Sequence, residues 1–484
     1  MVSRVMGLAS TLILARILVP ADFGLVAMAT AFSASVEALS QIGVLDALVR
    51  HGRTDRELYD TGFTLNAARG VLTAVVIAAG APVVSSFFGE PRLTPVLIVL
   101  AVGFAAQGLE NVGIIEFRRE MAFGSQFLIL LLPRVLQLVI TITLALTLRS
   151  YWALIAGMLT GRLASLLVSY MLHPFRPRLS LSAWREIAGF SVWSWIAALG
   201  RLVWNRMDAF IVGSMLGPAR LGTYLVGSEI ALLPATELVA PISEVLFPGF
   251  AKARKREADA LLLVPVIVIA LTIVTFPVAA AVSAGGNFII AVMLGPKWAE
   301  AQPVVSVLAW LCIVQPTSYV TWVYLVAIGD IRKDVEAIAL ASMFKLPALL
   351  LAAGSGSLQA VAGAILAAGV VESSLFAWQL KRTTGMPGAR VFFALARLAA
   401  AGVVTMAALY SSGYGWHGTA VSVLEGLAGA FVMGAGAGAT FWGTLGLLWW
   451  AAGRPTGPEK LLVQNASAVV LPLLAKLKRA LTSS

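Results

Sequence analysis

Charge is scarce in this chain. Only 12% of its 484 residues are Asp, Glu, Lys or Arg, while 59% are hydrophobic; an ordinary soluble domain carries about 25% charged residues. Half the usual charge is too little to cover a water-facing surface, which excludes a soluble enzyme and a disordered chain. Cysteine is nearly absent. Cys312 is the single one, so neither an intrachain disulfide nor a cysteine-based metal site can form. The three histidines, His51, His173 and His417, lie far apart and suggest no metal cluster. There is no Walker A loop, no His-Glu-x-x-His motif and no Gly-x-Ser-x-Gly elbow. The glycine-rich stretch Gly434-Ala-Gly-Ala-Gly438 sits inside an apolar run, where glycines let helices approach closely rather than cradle a nucleotide.

What the chain has instead is apolar runs, repeated from end to end, of the ~17–25 residues that cross a bilayer as helix. They are continuously apolar rather than alternating, which excludes a transmembrane barrel. The expected fold is an all-α polytopic membrane protein of about fourteen spans. Basic residues test that count. With the N-terminus inside, 22 of the 35 Lys and Arg fall in inside loops, nine in spans, and only Arg92, Arg149, Arg220 and Lys297 in outside loops. Adding or losing one helix midway would spoil the pattern. Both termini are therefore expected in the cytoplasm. The formal charge of +11 is thus a matter of topology and not of nucleic-acid binding. The first span is short, but Arg16 interrupts its end and no small-residue cleavage site follows, so it reads as a retained helix rather than a signal peptide.

An internal repeat is visible. Leu18-Val-Pro20-Ala-Asp-Phe23-Gly24 recurs as Leu216-Gly-Pro218-Ala-Arg-Leu221-Gly222, and Pro95-Val-Leu-Ile-Val-Leu-Ala101 as Pro303-Val-Val-Ser-Val-Leu-Ala309. Two matches in the same order imply two six-helix bundles in parallel orientation, 1–188 and 189–388. Two additional helices follow over 389–453, then a basic cytoplasmic tail, 454–484, that could lie on the membrane surface as an amphipathic helix. Such bundles pack about an axis along the membrane normal with a substrate path between them.

Ionisable residues inside spans cost about 2.5–3.5 kcal/mol at a helix centre and usually face a cavity or a partner. The cations here are Arg16, Arg69, Arg134, Arg162, Arg201, Arg206, Lys345 and Arg397; the acids are Glu37, Glu110, Asp208, Glu229, Glu237, Glu244 and Glu372. Arg201, Trp204, Asn205 and Asp208 share one helical face by spacing, and Glu229, Glu237 and Glu244 form another stripe. Gln107, Glu110 and Asn111 fall in the fourth span, and Arg134 with Gln137 in the fifth. Mutual pairing would make these charges mere bundle glue. Their number points instead to a wet cationic cavity suited to an anionic substrate, since arginine offers a planar donor fork to phosphate oxygens. Arg16, Arg134, Arg201 and Arg206 are the candidate substrate-binding cations, and Asp208, Glu229, Glu237 and Glu244 the candidate ion-coupling acids. The longest outside connections, near 285–300 and 412–426, are too short for an external catalytic domain, which argues against an enzyme.

Several blocks carry a family resemblance. Ala15-Arg16-Ile-Leu18-Val-Pro20-Ala-Asp22-Phe23-Gly24-Leu25 is joined by Gln41-Ile-Gly43-Val-Leu-Asp46-Ala-Leu48-Val-Arg50 and by Phe87-Phe88-Gly89-Glu90-Pro91. Phe117-Arg118-Arg119-Glu120-Met121-Ala-Phe123 and Met207-Asp208-Ala-Phe-Ile211-Val-Gly213 complete the set. Over residues 9–390 the chain resembles bacterial polysaccharide and O-antigen exporters of the colanic-acid/exopolysaccharide branch. These are flippases of the multidrug/oligosaccharidyl-lipid/polysaccharide exporter superfamily that move undecaprenyl-pyrophosphate-linked oligosaccharides. The resemblance implies two six-helix bundles plus two helices, alternating access in the inner membrane, and a lipid-linked oligosaccharide substrate. It further implies a functional link to a polysaccharide polymerase and export machinery, no cofactor, and transport powered by an ion gradient, of protons or sodium, or by substrate flow. It supplies no catalytic motif, so the residues singled out above rest on position and charge. A multidrug or cation antiporter would prefer an acidic, aromatic cavity. A polysaccharide polymerase would need an external domain, and a peptidoglycan-precursor flippase would be marked by lethality on deletion.

Overall fold

The computed structural model describes residues 2–40, 55–184, 192–239, 257–384, 388–416 and 422–454. Every regular element among them is helical. In chain order these are α1 (Val2–Ile17), α2 (Pro20–Ser40), α3 (Arg56–Phe88), α4 (Leu93–Gly108), α5 (Ile115–Arg119), α6 (Phe123–Leu148), α7 (Trp152–Leu172) and α8 (Val192–Pro234). There follow α9 (Glu257–Ala284), α10 (Gly286–Met293), α11 (Gln302–Leu308), α12 (Leu311–Ile328), α13 (Ile331–Gly354), α14 (Leu358–Thr384), α15 (Gly388–Ser411) and α16 (Val423–Ala451). Large apolar side chains on these helices point outward: Leu72 is 60% exposed, Leu351 79% and Phe431 75%. Exposure on that scale suits hydrocarbon and not water.

Ten helices among the described residues are long and apolar enough to cross a membrane, and Leu93–Gly108 and Ala396–Ser411 are shorter apolar helices. This bears out the all-α polytopic class; helix length alone does not establish a count of fourteen. Two of the expected spans share α8, which is broken at Gly217, where φ of 81° needs a residue without a Cβ. The fourth span is shorter than the apolar run suggested: α4 ends at Gly108, so Glu110 and Asn111 lie in an elbow beyond it.

That elbow is organised by Asn111, which is fully buried. Its side-chain oxygen accepts from Gly113 N at 3.0 Å, and its amide donates to the carbonyls of His173 (3.3 Å) and Phe175 (2.8 Å). Beyond α7 the chain runs extended across the first turns of α3. Backbone N–H groups of Arg178, Ser180 and Ala183 donate to Asp60 Oδ1, Thr64 Oγ1 and Thr61 Oγ1 at 2.8, 2.8 and 3.2 Å. A segment without a strand partner thus has its donors satisfied by polar side chains on the first turns of α3.

The chain forms two compact units. One comprises Met1–Val226, Met293–Trp298 and Leu349–Val361; the other comprises Gly227–Val292, Ala299–Ala348 and Ala362–Ser484. The first is cored at one end by Leu58, Tyr59, Phe63, Val112 and Ile115 and at the other by Leu14, Leu18, Ala145 and Ala153. In the second, α9 is central: Phe276 stacks on Phe441 of α16 at 4.8 Å, and Val264 and Leu271 join Val320, Tyr324 and Phe376.

Candidate functional site

Within the first unit, α6 and α7 cross closely because α7 carries Gly157-x-x-x-Gly161. A Cβ on Gly157 would overlap Thr141 Oγ1, and one on Gly161 would lie 2.7 Å from Gln137 Oε1. This crossing, together with α1 and α2, lines an open-sided cavity of about 280 Å³. Its polar lining is Ser10 and Thr11 from α1 and Arg134, Gln137 and Thr141 from α6; Phe23 and Met158 contribute to its apolar side. The buried Pro133 immediately precedes Arg134 inside α6, where a proline ring frees one backbone carbonyl from the helix ladder. Arg134 lies near the middle of a 26-residue helix. Among the described residues it has no carboxylate partner. Among the described residues, the polar groups that share the cavity with this exposed arginine are the hydroxyls of Ser10, Thr11 and Thr141 and the amide of Gln137.

The other candidate cations are placed differently. Arg16 is exposed in the last turn of α1, where the helix dipole favours a cation, and does not line this cavity. On α8, Arg201, Trp204 and Asp208 are half-buried and Asn205 and Arg206 exposed. The Asp208 carboxylate accepts from the buried Tyr224 hydroxyl at 2.8 Å, which ties the two arms of the broken helix together. Glu229 is exposed, and Glu237 lies in a π-helical turn, Ala235–Val239, that follows Pro234. The single α-helical register on which Glu229 and Glu237 were placed therefore ends before Glu237. Glu244 and the tail beyond 454 lie outside the described residues.

The sequence repeat becomes a reciprocal contact. A Cβ on Gly24 would overlap the carbonyl oxygen of Pro218 and lie 2.9 Å from its Cα; one on Gly222 would overlap the carbonyl oxygen of Pro20 and lie 2.9 Å from Gly24 N. Each copy of the motif thus supplies a glycine to admit the other copy's proline backbone. Aromatic contacts follow the same exchange. Phe88, the last residue of α3, stacks on Phe210 of α8 at 5.8 Å, while Trp298 packs edge-on against Phe23 at 5.3 Å and donates to Ala15 O at 2.8 Å. Residue spacing alone did not reveal this exchange; the signal was present in the Gly24/Gly222 correspondence. A further cluster, missed as a unit, joins Glu37 of α2, Gln107 of α4, Glu110 and Arg162 of α7, with Gln107 donating to Glu37 Oε1 at 3.1 Å.

Comparison with known proteins agrees with this architecture. A family model described as polysaccharide biosynthesis protein matches residues 13–303. The chain is 26% identical over 302 residues to the succinoglycan biosynthesis transport protein ExoT of Rhizobium meliloti (strain 1021), covering 61% of this chain and 60% of that one. It is 22% identical over 317 residues to the lipopolysaccharide biosynthesis protein WzxC of Escherichia coli (strain K12), covering 64% and 63%. The matches thus span about three fifths of the length of these curated relatives. Among solved structures, the lipid II flippase MurJ in an inward closed conformation aligns with a TM-score of 0.71 at 12% identity, covering 92% of this chain and 97% of that one. An inward-facing multidrug resistance transporter of the MATE family, in the MOP superfamily, aligns at 0.60 and 16% identity, covering 79% and 96%. At such identities the likeness concerns the fold.

Proposed function

The chain belongs to the polysaccharide biosynthesis protein family, and on that premise we propose that it is a flippase for lipid-linked oligosaccharides. In this reading it moves undecaprenyl-pyrophosphate-linked repeat units across the bacterial inner membrane for surface polysaccharide assembly. It works by alternating access, with both termini in the cytoplasm, and hands its product to a polymerase and export machinery. It transports and does not catalyse.

The observation that carries this reading is Arg134, near the middle of α6, without a carboxylate partner among the described residues and facing a cavity whose polar lining includes Ser10, Thr11, Gln137 and Thr141. Such a lining suits a phosphate oxyanion. The guanidinium supplies charge and paired donors, hydroxyls and an amide supply further hydrogen bonds, and low dielectric strengthens each. Arg16, Arg201 and Arg206 would contact the same headgroup during its passage, while the prenyl chain stays in lipid. The names of the relatives, a succinoglycan transport protein and a lipopolysaccharide biosynthesis protein, support a saccharide substrate. The reciprocal crossing at Gly24 and Gly222 is a compact contact that alternating access would break and remake. Ion coupling belongs to the same proposal.

The test is complementation of a deletion strain. Arg134→Gln should reach normal membrane abundance and fail to restore surface polymer, with Arg134→Lys intermediate because a point charge remains without the planar fork. Full polymer output from Arg134→Gln would refute the cavity's role. Unchanged polymer on deletion, with heightened sensitivity to cationic dyes, would favour the drug antiporter.

A further inference from the structure

A second cavity, of about 260 Å³, lies at the elbow of the first unit. Its polar lining residues are Asn66, Glu110, Asn111 and Gln126, set among apolar side chains such as Ile115 and Phe117. Asn66 is already engaged, donating to Gly108 O and accepting from Arg69, both at 3.0 Å, and Asn111 is committed to the elbow. The Glu110 side chain, two residues beyond the end of α4 and outside the span, has neither a hydrogen-bond nor an ion-pair partner among the described residues.

The groups facing Glu110 come from three helices. Glu37 of α2 is held by Gln107, Arg69 of α3 by Asn66, and Arg162 reaches in from α7. Arg162 is placed with unusual care. Gly103 leaves room for its stem, since a Cβ there would lie 2.8 Å from Arg162 Cδ, and its guanidinium lies 3.4 Å over the Phe104 ring. Its buried Nη1 has no hydrogen-bond partner among the described residues. The cluster therefore holds a carboxyl and a guanidinium that feel each other without bonding. Burial pushes the Glu110 carboxyl up to about 7, with Arg162 and Arg69 opposing and Glu37 reinforcing the shift.

We propose that Glu110 is a proton-binding site of the transport cycle, taking its proton from water that enters the elbow cavity. On binding, the carboxylate becomes a neutral carboxyl. Glu37, Arg69, Glu110 and Arg162 then change from a neutral set to one with a single net positive charge. Ionised Glu110 draws Arg69 of α3 and Arg162 of α7 towards the end of α4; protonated Glu110 releases both and frees the three helices to shift. Asp208 is a poorer site, because Tyr224 already donates to it. The coupling role rests on the transport reading above; the binding of the proton does not.

Two readouts separate these claims. Full-length protein in lipid nanodiscs is titrated by infrared difference spectroscopy of the carboxyl C=O stretch. A protonation band with a midpoint near neutral pH should persist in Glu37→Gln and vanish in Glu110→Gln. A spectrum unchanged in Glu110→Gln, or titration only in the ordinary carboxylate range, would overturn the site. In the deletion strain, Glu110→Asp should support polymer export while Glu110→Gln lowers its rate by about tenfold or more, the scale of a typical coupling between sites. Full export by Glu110→Gln would overturn the coupling role. Failure of the wild-type gene to restore export would overturn the transport reading and leave the infrared assignment standing.

Discussion

Gly24→Ala tests whether the reciprocal crossing opens and closes during transport. Alanine is the better helix former by about 1 kcal/mol, so helix propensity alone would make this substitution stabilising. The opposite is expected, because the added methyl meets backbone and not a flexible side chain: the Pro218 carbonyl oxygen overlaps it and Pro218 Cα lies at 2.9 Å. Overpacking of this kind costs about 1–3 kcal/mol. That cost falls only on the conformation in which the crossing is formed, so the closed population should drop roughly 5–150-fold relative to the open one. Met28 reports the change. It is fully buried, and its Cε lies 3.2 Å from the position of a Cβ on Gly213 of α8. With Cys312 replaced by serine, Met28→Cys should react slowly with a membrane-impermeant maleimide and much faster once Gly24→Ala is added. Gly222→Ala should do the same from the other copy of the motif. Unchanged labelling with full polymer export in both variants would refute the argument.

Other perturbations bear on stability. Gly161→Val drives a branched side chain into Gln137, 2.7 Å from the new Cβ, and should lower thermal stability by about 1–3 kcal/mol, read by fluorescence-detected unfolding. Asn111→Ala leaves the His173 and Phe175 carbonyls and the Gly113 N–H without their partner, and at about 1–3 kcal/mol for each buried group left unsatisfied it should strongly reduce folded protein. Arg92 donates two bonds to Glu90, at 2.7 and 2.8 Å, and holds its carboxyl below the usual carboxylate range. A depressed carboxylate stabilises above its ordinary pKa and loses that contribution as pH falls. The stability difference between wild type and Arg92→Ala should therefore be present at pH ~7 and shrink towards pH ~4.

The helical class was legible because apolar length and charge scarcity are properties of composition and need no tertiary information. The paired roles of Gly24 and Gly222 were half legible. The repeat identified corresponding residues, but only packing shows that each glycine receives the other copy's proline. Arg134 was found because an arginine inside an apolar run is conspicuous, and Gln137 beside it hinted at a polar cavity. Glu110 was found for the same reason yet placed inside a span, since the apolar run continues through Val112 and Ile114 and hides the end of α4. Asp208 read as available for an ion because its partner, Tyr224, lies beyond the break at Gly217. The glutamate stripe assumed one helical register, which Pro234 and the π turn interrupt. Arg162 is one of eight cations in apolar runs with nothing in the sequence to single it out, and its Nη1, without a hydrogen-bond partner among the described residues, is a fact of three-dimensional placement.

The most direct test of the central claim is to delete the gene and follow its lipid-linked intermediates. Membrane sidedness is probed with an impermeant sugar-modifying reagent, and the surface polymer is measured in parallel. The flippase account expects undecaprenyl-linked repeat units to accumulate on the cytoplasmic face and surface polymer to disappear, both reversed by the wild-type gene. Repeat units reaching the outer face at the normal rate without the protein would contradict it.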